Sequence, residues 1–142
     1  ERRYWTLEGR PVQNFRLKDL VVVELTVTSA RRVVLDNVAV EDRLPAGLEV
    51  QNPRLGESPL LTWVDRGRLW APEYVDVWDD RIVVFGRLPG ATTRSYYYLA
   101  RVVTPGEFFQ PAASAQVMYR PEIRGQTDVG RLSIESDFTG TE

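Results

Sequence analysis

This sequence predicts an all-β fold, an antiparallel β-sandwich of about seven to nine short strands. Its runs of β-branched and aromatic residues alternate in polarity with a period of two, the repeat of a chain whose successive side chains point to opposite faces of a sheet. Turns bearing Pro and Gly separate those runs at short intervals. No window sustains the 3.6-residue apolar period of a helix. A chain of 142 residues suits one domain with one core, and it shows neither internal repeat nor low-complexity segment.

DLVVVELTVTS, Asp19 to Ser29, is the first expected strand, with Val21, Val23, Leu25 and Val27 on one face and Glu24, Thr26 and Thr28 on the other. VVLDNVAVEDRL, Val33 to Leu44, is the second; Asp36-Asn37 suits a bulge within it and Pro45-Ala46-Gly47 ends it. Leu48 to Val50 resumes as a short strand. From Arg54 to Pro72 the pattern is broken by Gly56, Pro59, Gly67 and Pro72, so an irregular excursion is expected, although LLTWV and RLWA are each long enough for a short strand. RIVVFGRL, Arg81 to Leu88, is closed by Pro89-Gly90, and RSYYYLARVV, Arg94 to Val103, puts Tyr96, Tyr98, Ala100 and Val102 on one face. After Thr104-Pro105-Gly106 come the short segment GEFFQP, the strand AASAQVMY, stopped by Arg120-Pro121, and a last strand GRLSIES, Gly130 to Ser136. The tail DFTGTE, residues 137–142, is expected to fray.

Composition excludes several classes of function. The chain is 43% hydrophobic and 27% charged, as in ordinary globular domains, and its mean hydropathy is -0.29. Its 18 basic and 20 acidic residues are interspersed, giving a net charge of -2 and no patch for nucleic acid or an anionic membrane. Lys18 is the only lysine; arginine otherwise carries the positive charge, suited to bidentate pairing with carboxylates. Without histidine or cysteine there is no disulfide, no thiolate, no zinc site of the usual kind and no imidazole base. No apolar run approaches the roughly 20 residues of a membrane span, and ERRYWTLEG lacks a signal-peptide apolar region. The chain is therefore expected to lack its targeting segment or to be cut from a longer protein.

Three motifs remain as candidate sites. DVWDD, Asp76 to Asp80, sets Asp76, Asp79 and Asp80 close together; clustered oxygens can hold a hard cation such as calcium, and the same residues suit the reversal of a hairpin between YVDVW and RIVVF. Tyr96-Tyr97-Tyr98 would expose one or two rings from a half-buried strand, as a ladder for a glycan or peptide or as cross-strand packing. Met118, the only methionine, stands beside Tyr119 at a strand end, where both can lean over the rim as an adaptable apolar lid or close the domain's own core. The serine-protease and SxxK patterns are missing, so no enzyme activity and no cofactor are expected.

The segments LVVVELTVTS, VAVEDRLPAGLEVQNP, DDRIVVFG, the YxxRVVTPGEF turn and MYRPEIRG together resemble the C-terminal, tenth macroglobulin-like domain of bacterial alpha-2-macroglobulins, from about Tyr4 to Ser136. The resemblance implies a single fibronectin-type sandwich, residues 1–142, excised from a large multidomain protease inhibitor that traps proteases after they cleave a bait region. It implies a periplasmic parent, anchored to the inner membrane as a lipoprotein, with its other domains as partners of this one and target proteases met through the whole chain. In thioester-bearing members a methionine and a tyrosine of this domain cover the thioester, whose Cys-x-Glu-Gln lies in another domain; they correspond to Met118 and Tyr119, with Arg120 and Pro121 as the supporting rim. The family commonly has an acidic residue where this chain has Arg120. Thioester-free members imply an alternative, a module that docks a peptidoglycan-synthesis protein or an envelope complex through a sheet edge or the tyrosine ladder. Neither reading calls for nucleic acid or for membrane insertion by this domain.

Overall fold

The computed structural model describes residues 1–55, 58 and 61–136. Among them twelve strands form three sheets. The first sheet has the order β1-β3-β8-β5: β1 (Arg2–Trp5), β3 (Leu20–Ser29), β8 (Thr92–Val102) and β5 (Leu48–Asn52). The second has the order β11-β10-β4-β7-β6: β11 (Arg120–Gln126), β10 (Ser114–Val117), β4 (Leu35–Arg43), β7 (Arg81–Leu88) and β6 (Tyr74–Val77). A small third sheet joins β2 (Phe15–Arg16), β12 (Gly130–Glu135) and β9 (Gly106–Gln110). The all-β sandwich expected from the sequence is the fold observed.

Alternation builds the core as anticipated. Val21, Val23 and Leu25 of β3, with Tyr98, Ala100 and Val102 of β8, face Val38 and Val40 of β4 and Ile82, Val84 and Leu88 of β7. Each Val, Leu and Ile among them, withdrawn from water, contributes about 1.5–3 kcal/mol before entropy is counted. The long β3–β8 pair runs in unbroken antiparallel register from Leu20↔Arg101 to Ser29↔Thr92. The bulge anticipated at Asp36-Asn37 is present: the β4–β7 register shifts between Leu35 and Val38, and Asn37 takes φ 58°, a left-handed conformation that asparagine tolerates. The third sheet closes one end of the sandwich. At Gly47 a Cβ would lie 2.4 Å from Ile134 Cδ1 and 2.7 Å from Phe108 Cε2, so only glycine lets the β4–β5 turn pass beneath it.

Two departures from the sequence reading have clear causes. The strand count exceeds the expected range because short edge segments escape a periodicity test. One of these, β11, begins at Arg120-Pro121, which was expected to stop the chain; β11 is an edge strand, and a proline there need not donate to a ladder. The second departure concerns the excursion from Arg54 to Pro72. Its described residues include a turn of 3-10 helix at Arg66–Arg68 and a bridge from Leu69 to Ser95. It is not peripheral, however: Leu55, Leu61 and Val64 pack on Val22 and Tyr97 and form a second core on the outer face of the first sheet. The tail 137–142 lies outside the described residues.

This second core has a polar hinge at Glu24. Its Oε1 accepts from Trp5 Nε1 at 2.9 Å, and its Oε2 accepts from the Ser95 hydroxyl at 2.7 Å and the Tyr97 hydroxyl at 2.9 Å. Burial pulls the Glu24 carboxyl up, but the hydrogen bonds from Ser95, Tyr97, Trp5 and Thr26 outweigh it and hold the group below its ordinary value of 4.5. A depressed carboxylate binds fewer protons folded than unfolded, so its contribution is present above pH 4.5 and is lost as pH falls below it. Denaturant titrations across that range should therefore show a shallower acid-side loss of stability in Glu24→Gln than in the parent chain; equal slopes would remove Glu24 from the account.

Candidate functional site

Met118 and Tyr119 are the two central residues of the turn joining β10 to β11. Val117 pairs with Arg120, while Gln116 pairs with Arg124, so Pro121, Glu122 and Ile123 form a bulge that β10 does not match. Val117, 7% exposed, is the last side chain to enter the core. Beyond it Met118 is 47% exposed and Tyr119 79% exposed, and both face solvent. Their position is fixed from behind: the Met118 N–H donates to the Asn37 carbonyl of the β4 bulge at 3.0 Å, and Ile123 returns to the core. An exposed apolar pair thus stands on a hairpin end anchored to a central strand.

Arg120 and Pro121 flank the pair and are exposed. Arg120 Nε donates to Glu122 Oε1 at 3.3 Å. A hydrogen bond from its own backbone N–H, and then the Arg120 guanidinium, hold the Glu122 carboxyl below the usual range. The rim is therefore an ion pair rather than an isolated cation. The sequence reading missed Val33 and Val34, which it placed inside a strand. The strand starts at Leu35, and these two valines, 59% and 46% exposed, lie just before the Asn37 bulge that holds Met118. Their signal was the bulge itself, which shifts where the pairing of β4 begins.

The other candidates resolve into structure. Asp79 and Asp80 form the reversal between β6 and β7, closed by the Trp78 N–H donating to the Arg81 carbonyl at 2.8 Å, and Asp80 pairs with Arg81 Nε at 3.1 Å. Among the described residues no three carboxylates converge: Asp76 lies on β6, and Asp79 and Asp80 lie in the hairpin reversal. Tyr96, Tyr97 and Tyr98 are all buried: Tyr96 and Tyr98 in the main core, Tyr97 in the second. The ring expected to face outward does leave the main core, but Leu55, Leu61, Trp63 and Val64 cover it. That rules out an exposed tyrosine ladder.

A cleft of about 530 Å³ opens between β3 and the β10–β11 hairpin. Its floor is apolar, including Leu25, Val38, Val40 and Val117, and the one carboxylate on its rim, Glu1, has no second carboxylate to work with there. The strongest buried electrostatics lie in the centre of the sandwich. Asp42 on β4, 1% exposed, forms an ion pair with the Arg2 guanidinium from β1 and accepts a hydrogen bond from the Tyr98 hydroxyl on β8. Arg2 Nη2 also donates to the Pro111 carbonyl at 2.6 Å. Burial pushes the Asp42 carboxyl above the usual carboxylate range, against the pull of Arg2 and Tyr98. This network ties the two main sheets together.

The sandwich and its outward hairpin define a β-sandwich module that offers an anchored apolar contact at one end. A profile described as the bacterial alpha-2-macroglobulin MG10 domain matches residues 1–122. The alpha-2-macroglobulin of Xylella fastidiosa strain 9a5c is 34% identical over 145 aligned positions, covering 94% of this chain and 9% of that protein. That of Rickettsia conorii is 28% identical, covering 94% of this chain and 7% of that protein. Among solved structures, Salmonella alpha-2-macroglobulin reacted with methylamine superposes with a TM-score of 0.84 at 28% identity, over 95% of this chain and 9% of that one. Native Escherichia coli alpha-2-macroglobulin from domain MG7 to the C-terminus gives a TM-score of 0.83 at 27% identity, over 95% of this chain and 23% of that one. The chain belongs to the bacterial alpha-2-macroglobulin MG10 domain family, and it spans less than a tenth of the curated relatives it matches.

Proposed function

We propose that this domain is a noncatalytic module of a periplasmic bacterial alpha-2-macroglobulin, a broad-spectrum protease trap held at the inner membrane by a lipid anchor. In this reading it supplies an inter-domain lock. Met118 and Tyr119 seal a neighbouring domain of the parent chain over its thioester, or over the equivalent surface where no thioester exists. The observation that supports it is the outward presentation of both side chains on a turn anchored to β4. A thioether and a phenol ring are suited to excluding water from an acyl group that water would hydrolyse.

The test is Met118→Ala with Tyr119→Ala. In the 142-residue chain the double variant should melt as the parent does, because exposed side chains away from the core change stability by less than about 0.5 kcal/mol. In the full-length protein it should speed methylamine uptake if a thioester is present, or open the resting state to limited proteolysis if not. A double variant that unfolds the isolated domain would make the pair core, and unchanged reactivity of the full-length protein would refute the lock.

A further inference from the structure

The second sheet ends on β6, and no strand lies beyond it among the described residues. The Trp78 N–H bonds to the Arg81 carbonyl, which sets the phase of the β6–β7 ladder: Val75 and Val77 turn their own N–H and C=O groups to the open side. Such an edge invites another strand unless something blunts it. Here the residues around it favour contact. Tyr74, Val77 and Trp78 are 57%, 43% and 53% exposed, three large apolar side chains within five positions. Tyr74 leans on Phe85 with ring centroids 6.0 Å apart, and the Arg81 guanidinium sits 5.0 Å from the Trp78 ring centre, so the outer face is a supported aromatic platform.

Side-chain rows and charge identify the occupant. Val75 and Val77 pair with the fully buried Val84 and Ile82 and continue the apolar inner row to the edge. Tyr74, Asp76 and Trp78 form the outer row, with Glu73 before it and Asp79 and Asp80 after it. The nearby cations are already engaged, Arg81 by Asp80 at 3.1 Å and Glu41 at 3.6 Å and Arg43 by Glu41 at 2.8 Å, which leaves Glu73, Asp76 and Asp79 to make the edge acidic. An added strand would meet apolar neighbours on one face, and carboxylates and aromatic rings on the other. A second copy pairing β6 with β6 would set like charges against each other. We propose that the free edge of β6 docks an extended segment of a separate polypeptide in which apolar residues alternate with basic ones, by strand addition. The surface lies at the opposite edge of the sheet from β11, four strand spacings or about 19 Å away, and is independent of the Met118–Tyr119 turn.

The probe is a short blocked peptide alternating valine and lysine, titrated into the isotope-labelled 142-residue chain, with its glutamate-for-lysine counterpart as comparison. The lysine peptide should shift the Val75 and Val77 amides and slow their hydrogen exchange, and the glutamate peptide should not. Val75→Pro removes an outward donor that β7 does not use, and should weaken binding by about tenfold or more. Asp76→Lys leaves the backbone alone and should reverse the preference between the two peptides, which keeps the test decisive if the proline variant disturbs the hairpin. No binding, shifts confined to other strands, equal response to both peptides, or peptide-free self-association through β6 would each overturn the proposal.

Discussion

Asp42→Ala is expected to lower the unfolding free energy by about 3–5 kcal/mol, lowering the melting temperature by roughly 10 °C or more. The size follows from what the substitution leaves behind. The Arg2 side chain is only 2% exposed, and the Asp42 carboxylate is the single negative charge set against it in the centre of the sandwich. Without it a guanidinium stays buried with the Pro111 carbonyl as its remaining acceptor, and the Tyr98 hydroxyl loses its acceptor as well. Asp42→Asn separates charge from shape: it keeps the size and an acceptor, so a loss close to that of alanine assigns the effect to the missing charge. Replacing both partners with apolar residues, Arg2→Met with Asp42→Leu, should recover much of the loss, because a pair removed together strands no charge. Equilibrium denaturation of the parent chain, Arg2→Met, Asp42→Leu and the two combined forms a double-mutant cycle. A loss under about 1 kcal/mol for Asp42→Ala would mean that water reaches Arg2 and that the two sheets are held by apolar contact alone.

Neither this network nor the second core was legible in the sequence, whereas the fold class was. Period-two patterning located β3, β4, β7 and β8, since those strands bury one face against a single core and carry the alternation plainly. The bulge at Asn37 and the hairpin at Asp79-Asp80 were readable because each uses residue types with a local conformational reason. The lone methionine beside a tyrosine marked the β10–β11 end, and the structure exposes both. What stayed hidden depends on distant pairing. Arg2 and Asp42 are 40 residues apart, and nothing local separates Asp42 from the solvated carboxylates around it. Tyr97 read as half-exposed because a strand's second face is polar or covered according to what another segment does, and that segment has no periodicity of its own.

The cover over Tyr97 therefore gives the second large expectation: Leu61→Ala should cost about 3 kcal/mol, within the usual span for a buried leucine. Leu61 is 1% exposed and packs with Val22, Leu55, Val64 and Tyr97. Its own carbonyl accepts from Arg66 Nη2 at 3.4 Å, and the Trp70 N–H donates to the Ser95 carbonyl at 2.9 Å, so the cover is fastened at Leu61 and again at Trp70. A fastened cover collapses poorly around a lost side chain, and the cavity then adds to the lost burial. Leu7→Ala, at a leucine 43% exposed, is the internal control and should change stability by less than about 0.5 kcal/mol. If Leu61→Ala behaves like Leu7→Ala, the cover is only draped over the sheet, and Tyr97 becomes a surface ring after all. If it behaves as expected and unfolding stays a single transition, Leu55, Leu61 and Val64 are as much a part of the fold as the strands beneath them, and Tyr97 is a core ring.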